Sequence, residues 1–351
     1  MSGRLLRLVC TAAVAAQAAL APLPAAAAPE PGRSVGRLLT DLQRLYRDAE
    51  RATETYNATA EKLAARRAEV RRLDGELARA RLSLHESRGA AGRLARQQYQ
   101  NSGDISPYVR LLLARDPQHA LDERHVIGQL ARERAETVGR VTGDTRRADA
   151  LARQARKALD GQLALAGRQK QERDAVRARL ARVETLLASL SADELAGVAR
   201  LERDGTAKAQ SELLASEALG PEREPSPEGE AAVRYAVEQV GKPYEWGAEG
   251  PRSYDCSGLT SQAWDHAGTP IPRTSQEQWA SLPKVSLKQL RPGDLVIYFP
   301  EATHVAMYVG DGTVVQAPRP GDHVKLSPLA SNPVLGAVRP DPDAEETGEA
   351  A

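Results

Sequence analysis

Apolar residues recur along the first half of the chain in alternating steps of four and three: Leu38, Leu42, Leu45, Ala49, Ala52, Tyr56, Thr59, Leu63, Arg66, Val70, Leu73, Leu77, Ala80 and Leu84. The series is a heptad seam with polar defects at Thr59 and Arg66, and it predicts one long helix whose narrow stripe only a coiled-coil partner can bury. The positions between are dense in Arg, Glu, Asp and Ala, which suits solvated faces. A break follows at residues 101–120, where Gly103, Pro107 and Pro117 punctuate a short apolar segment, Val109 to Leu113. Helical patterning resumes at about Leu121 and runs to about Leu219, with a second seam at Val176, Leu180, Val183, Leu187 and Leu190. An antiparallel helical hairpin with its tip at 101–120 is expected. Two uses of the apolar tip stand open: a small cap that buries Leu111 to Leu113 against the hairpin, or a docking surface for another protein.

The pattern changes after residues 220–230, "GPEREPSPEGE", which hold three prolines and no apolar periodicity and so predict a linker. Ser226-Pro227 resembles an N-cap with proline at the first helical position, opening a helix that buries Val233, Val237 and Val240 and stops at Gly241. Asp255 stands where a second N-cap belongs, ahead of a helix with Leu259, Ala263, Trp264 and Ala267 on its buried face and Gly268 at its end. Residues 291–299 predict a turn and a strand, and residues 303–318 a β-hairpin turning at Gly310-Asp311-Gly312. The last residues, "PDPDAEETGEAA", are acidic and without hydrophobes, so a disordered tail over 341–351 is expected. The organisation expected is therefore 1–28 leader, 33–219 helical domain, 220–230 linker, 231–340 mixed α+β domain and 341–351 tail.

Charge and cysteine usage narrow the class. With 48 Lys plus Arg against 47 Asp plus Glu, the net charge of +1 gives no footprint for nucleic acid or an anionic membrane. At the start, Arg4 and Arg7 precede an apolar run from Leu8 to about Leu23 and then Ala25 to Ala28, the layout of a secretory signal peptide cut near Ala27 or Ala28. Cys10 would leave with that segment, and Cys256 would be the one thiol of an exported chain. In an oxidising compartment an odd cysteine is an intermolecular bridge or a reactive thiol. The abundance of Ala and Arg suggests a high-GC bacterium such as an actinobacterium.

Cys256 falls in the first turn of the helix capped by Asp255, where unpaired N–H groups and the helix dipole favour thiolate over thiol. Such a nucleophile needs a base and a group that orients the base. His304 opens the first arm of the predicted hairpin and Gln316 lies near the end of the second, so the two can sit side by side, with Gln316 accepting from Nδ1–H and Nε2 facing Cys256. His266 is ten residues along the helix, some 15 Å away, and His323 lies beyond the hairpin. His85, His119 and His125 belong to the charged helical half. No H-E-x-x-H or C-x-x-C spacing occurs, so no catalytic metal and no cofactor is indicated.

The segments "GKPYEWG", "YDCSGL", "PRTSQEQW", "RPGDLVIY" and "HVAMYVGDGTVVQAP" follow the order and spacing of the NlpC/p60-type cell-wall cysteine peptidase domain over about residues 226–340. That resemblance implies an α+β papain-like fold, placed here after an all-α antiparallel coiled-coil hairpin, and a Cys256–His304–Gln316 triad. It implies a peptidoglycan endopeptidase cutting D-glutamyl–diamino acid bonds of stem peptides, with Tyr244, Asp255 and Ser257 holding the substrate's peptide ends. Gln316 replaces the more usual histidine, and Ala248 stands where a second glycine often follows Trp-Gly. Less specifically, the helical half resembles the coils of cell-separation hydrolases, which a division-linked ABC-transporter-like membrane complex can recruit and which can hold the enzyme inactive. Two other classes stay open: a non-catalytic coiled-coil activator or peptidoglycan-binding protein, and a papain-like amidase or acyltransferase on another acyl bond.

Overall fold

A computed structural model describes residues 34–100, 107–113 and 116–342. The expected leader, residues 101–106 and 114–115 of the break between the helices and the tail past Pro342 lie outside the described residues. Two long helices, α1 (Val35–Gln100) and α3 (Pro117–Ala188), run side by side as the hairpin arms, with the short α2 (Pro107–Leu112) at the tip. At about 1.5 Å per residue each arm is roughly 100 Å long. The seam is where the heptads place it: Leu73, Leu77 and Ala80 of α1 meet Ala148, Leu151, Ala155 and Ala158 of α3. Nearer the ends, Leu38, Leu42 and Tyr46 close on Val183 and Val198.

The second arm is not one helix to Leu219. It stops at Ala188 and restarts as α4 (Ala192–Ala215), because Ser191 caps the new helix in a capping box with Glu194. At the tip Leu111 is half-buried while Leu112 and Leu113 are 84% and 66% exposed, so of the two uses left open, a cap burying Leu111 to Leu113 is not what the described residues show.

The C-terminal domain carries α5 (Pro227–Glu238), α6 (Cys256–His266), α7 (Ser275–Ser281) and a six-stranded antiparallel sheet. Its strands are β1 (Lys284–Val285), β2 (Leu295–Tyr298), β3 (His304–Gly310), β4 (Thr313–Gln316), β5 (Lys325–Pro328) and β6 (Val334–Val338), in spatial order β1-β6-β2-β3-β4-β5. Strand alternation builds two cores. Leu295, Ile297, Val305, Met307 and Val315 face α5 and α6, which contribute Ala232, Ala236, Leu259 and Trp264. Val296, Tyr298, Ala306, Tyr308 and Val314 face the other way, where Leu213 of α4 and Leu219 cover them.

That second face ties the helical half to the sheet. Gln210 of α4 donates to the Gly312 carbonyl and accepts from the Ala330 N–H, each at 2.9 Å. The segment expected as a linker is correspondingly short, since α5 begins inside it at Pro227 behind its Ser226 cap. Val237 and Val240, expected in the core, are 40% and 46% exposed. The stripe of α5 that faces the sheet is instead Ala232 and Ala236, whose small side chains let the helix approach closely. Asp341, placed in the expected tail, pairs with Arg291 at 3.3 Å.

Candidate active site

Asp255 ends an extended segment and caps α6, its Oδ1 accepting the Gly258 N–H at 2.6 Å. Its Oδ2 accepts the Gly247 N–H at 2.9 Å, which folds the preceding loop over the helix start. The Arg273 guanidinium donates to both carboxylate oxygens, at 3.0 and 2.8 Å. Arg273 also reaches Glu249 at 2.7 Å and donates to Ser257 Oγ at 2.9 Å. With its oxygen accepting from Arg273, the Ser257 hydroxyl turns its own proton away from the arginine. Burial opposes the charge on Arg273, but the Asp255 charge and hydrogen bonds overcome it and hold the guanidinium above its ordinary value.

Cys256 is the first residue of α6, buried at 3% exposure and resting against the backbone of Val305, the residue after His304. His304 opens β3 and Gln316 closes β4. The register Met307 to Val315 puts both on one sheet face, and His304 Nε2 meets Gln316 Oε1 at 2.6 Å. The Gln316 amide nitrogen donates to Ser331 Oγ at 3.3 Å, which directs the carbonyl oxygen at the ring. The ring therefore stands the other way from the sequence expectation: Nε2 goes to Gln316, and Nδ1 is left toward the helix.

Neither member of the pair bonds the other; each turns to α1. Glu54 Oε1 accepts from Ser257 Oγ at 2.8 Å and from the Cys256 thiol at 3.8 Å, while its Oε2 accepts the Ser275 N–H at 2.9 Å. One turn earlier, Glu50 Oε1 lies 3.9 Å from His304 Nδ1, and neither Glu50 Oε2 nor His304 Nδ1 has a hydrogen-bond partner. One turn later, Asn57 donates to Asp255 Oδ2 at 3.0 Å. Tyr56 meets Trp246 edge to face at 5.1 Å, Arg51 pairs with Glu301 at 2.9 Å, and Tyr46 lies under Arg319, which holds Glu202 of α4 through two nitrogens. Nothing in the heptad pattern shows this face, since Glu50, Glu54 and Asn57 read as solvated positions. A signal existed in the spacing: Glu50 and Glu54 stand at i and i+4, a like-charge pair that costs stability on a free helix.

Burial sets the protonation of the group. It pushes the Cys256 thiol well above its ordinary value, and the charges of Glu54, Asp255 and Glu50 push the same way. The helix N-terminus thus does not deliver a thiolate while α1 is seated, which corrects the sequence expectation. Burial likewise depresses His304 to about 4, against the Gln316 bond and the Asp255 charge. Glu50 is raised to about 8 by burial and by Glu54, and Glu54 to about 7 by burial and by Asp255.

Tyr244 is buried beside the thiol, with its phenol pushed up by burial and by the Cys256 and Asp255 charges. Cys256, His304, Gln316, Tyr244, Asp255 and Ser257 thus meet in one place, whereas His266 stacks on Tyr235 and His323 is exposed at the domain surface. Sequence reasoning missed Arg273 and Ser275, although both lie within the quoted "PRTSQEQW". Beside the site a cavity of about 1,050 Å³ opens between α1, α4 and the sheet, reaching Gln316 and Glu50. Among the described residues no three His, Cys, Asp or Glu side chains are grouped as a metal would require, and no helix is long and apolar enough to cross a membrane.

The profile of the NlpC/P60 family matches residues 241–337. A probable endopeptidase of Corynebacterium glutamicum is 44% identical over 111 residues, 32% of this chain and 53% of its own length. A probable endopeptidase of Mycobacterium tuberculosis is 38% identical over 110 residues, 31% of this chain and 29% of its own. The solved NlpC/p60 domain of the peptidoglycan hydrolase SagA is 32% identical, covers 32% of this chain and 97% of that one, and has a TM-score of 0.30. The chain spans about half the length of the first of these relatives and under a third of the second.

Proposed function

We propose, from the premise that the C-terminal domain is an NlpC/P60 family domain, that this protein is an exported peptidoglycan hydrolase that cuts stem-peptide amide bonds with Cys256. The observation that carries the proposal is the constellation of a thiol at a helix N-terminus and a neighbouring sheet-borne imidazole whose far nitrogen is held by Gln316 at 2.6 Å.

With α1 displaced, the thiol regains the helix N-terminus and the imidazole without the two glutamates. His304 Nδ1 takes the Cys256 proton, and the sulfur attacks the amide carbon to form the C–S bond. The tetrahedral intermediate collapses with cleavage of the C–N bond, and the proton on Nδ1 passes to the leaving amine. Water then loses a proton to Nδ1 as its oxygen attacks the thioester, releasing the acid and the thiol. Gln316 keeps Nδ1 turned inward through both steps, as a neutral orienting partner. The bond proposed is D-glutamyl–diamino acid, with Tyr244 and Ser257 on the acyl side and Asp255 holding the frame through Arg273. A division-linked, ABC-transporter-like membrane complex acting on the coil is the proposed agent of release, and the cell wall the proposed location.

Digestion of purified peptidoglycan tests this. The chain from residue 29 is compared with E50A/E54A, which removes the two buried carboxylates of α1, and with the same variant carrying C256A. Mass spectra should show fragments ending in D-glutamate together with peptides beginning at the diamino acid, from E50A/E54A alone or most strongly. Products cut at another amide would favour an amidase on a different bond. No products from a chain whose thiol alkylates readily would favour the non-catalytic binding protein.

A further inference from the structure

The two glutamates of α1 are placed where a seated helix can hold them only at a cost. Glu50 is 8% exposed and Glu54 1%, and their partners are the Ser257 hydroxyl, the Ser275 N–H and the Cys256 thiol, all uncharged. The groups facing them from other elements are Cys256, Asp255 and Tyr244 around α6, His304 on β3, and Arg273 and Arg319, with Arg47 beside them on α1 itself. Arg273 is committed to Asp255 and Glu249, Arg319 to Glu202, and Arg47 lies over Phe299 at 6.0 Å. Asp255 adds a third carboxylate within the same enclosure. An ionised pair would leave buried negative charge without a cation of its own, and one carboxylate oxygen, Glu50 Oε2, has no donor at all. A protonated carboxyl, by contrast, supplies a donor for the enclosure and no charge.

We propose that Glu50 and Glu54 make the docking of α1 over Cys256 and His304 proton-linked: the helix seats with both side chains protonated, and their ionisation unseats it. The lock rests on the same site as the peptidase assignment but is a separate property of it. The sign follows from the raised values, about 8 for Glu50 and about 7 for Glu54. A carboxyl whose value is higher in the seated state favours seating below its free value and loses that contribution as pH climbs through the raised one. His304, depressed to about 4, acts in the opposite sense below its free value of about 6.5, because the unseated ring takes up a proton there. The clean window is therefore about pH 6.5 to 8, where each proton linked to seating weakens it by about tenfold per pH unit.

Cys256 alkylation by iodoacetamide reads seating without any hydrolysis. Rates are measured from pH 6 to 9 in the full chain as wild type, as E50A/E54A, which supplies the profile of the uncovered thiol, and as E50Q/E54Q. Glutamine is the isostere of the protonated acid: at position 54 its carbonyl can still accept from Ser275 N–H, and its amide can donate to Ser257 Oγ once the Ser257 hydroxyl turns its proton to Asp255 Oδ1, at 3.5 Å. Hydrogen exchange at the peptide holding Ser275 serves as a second readout of docking, and a melting curve checks that each variant folds. The expected result is a wild-type rate that climbs toward that of E50A/E54A across the window, while E50Q/E54Q stays at least tenfold below wild type at pH 8 with Ser275 protected. A ratio of wild type to E50A/E54A that is flat with pH overturns the lock, as does an E50Q/E54Q variant that alkylates as fast as wild type at pH 8. If the pH profiles follow expectation but no variant cuts peptidoglycan, the lock stands and the peptidase assignment falls.

Discussion

The Cys256 thiol donates to Glu54 Oε1 at 3.8 Å, a contact between residues 202 apart in the chain, and it makes no bond to His304. A thiol and an imidazole that each face a carboxyl of α1 are uncoupled from one another as well as covered. Under the proposed mechanism activity depends on an equilibrium between docked and undocked coil, and substitutions far from Cys256 are expected to move it.

Gln210 offers such a substitution. It bridges the Gly312 carbonyl and the Ala330 N–H on the far side of the sheet, away from the thiol. Two hydrogen bonds contribute about 0.5–1.5 kcal/mol each, about 1–3 kcal/mol together, so Gln210→Ala should raise the rate of Cys256 alkylation at fixed pH by roughly 5-fold and by no more than about 150-fold. A thiol that reacts no faster in this variant would show that α4 does not help to hold α1 in place.

Gln316 should matter by orientation. Gln316→Ala removes the acceptor at 2.6 Å from His304 Nε2 and frees the ring to turn, so in a chain unlocked at Glu50 and Glu54 kcat should fall about 10- to 100-fold, in the range of positioned proton transfer. KM should change little. Gln316→Glu should retain much of the rate and shift the basic limb of the pH profile upward, because a carboxylate favours the imidazolium; pH–rate profiles of the two variants separate these outcomes.

Arg273 sits under the site as its frame. Its loss leaves the Asp255 carboxylate, which is 0% exposed, with backbone donors and Asn57 but no cation. Removing one partner of a buried pair costs about 3–5 kcal/mol, so Arg273→Ala should lower the denaturation midpoint strongly in chemical unfolding followed by circular dichroism. Glu249→Ala removes a partner whose side chain is 47% exposed and should cost under about 1 kcal/mol. Similar losses in the two variants would mean that Asp255 is not the residue Arg273 serves.

Much of this was legible in the chain because it follows from local rules. The Asp255 cap, the first-turn position of Cys256, the hairpin at Gly310-Asp311-Gly312 and the coil seam rest on capping, turn chemistry and periodicity, and the structure holds them all. What local pattern does not carry is which partner covers a polar face. Glu50, Glu54 and Asn57 look solvated until a domain some 200 residues later closes on them. The break at Ser191 is hard to read in the sequence because the capping box is written inside an otherwise continuous helical composition. The orientation of the His304 ring is not legible in the sequence because strand register and the helix that faces the ring are long-range properties.

The depressed His304 provides a stability test with its own sign. A histidine held neutral by burial binds fewer protons than the unfolded chain, so its contribution is present above about 6.5 and is lost as pH falls toward 4. The span of about 2.5 units corresponds to roughly 3 kcal/mol. Glu50 and Glu54 act in reverse, stabilising the seated state at low pH and losing that contribution as pH rises, so in wild type the slopes partly cancel. They separate in E50Q/E54Q, where the glutamate contribution is fixed. Unfolding free energies of that variant, compared with the same variant carrying H304Q, should diverge by roughly 3 kcal/mol between pH 6.5 and 4, the histidine-bearing chain losing more as the medium is acidified. Parallel curves would mean that His304 meets solvent in the folded chain, and that α1 does not seal it.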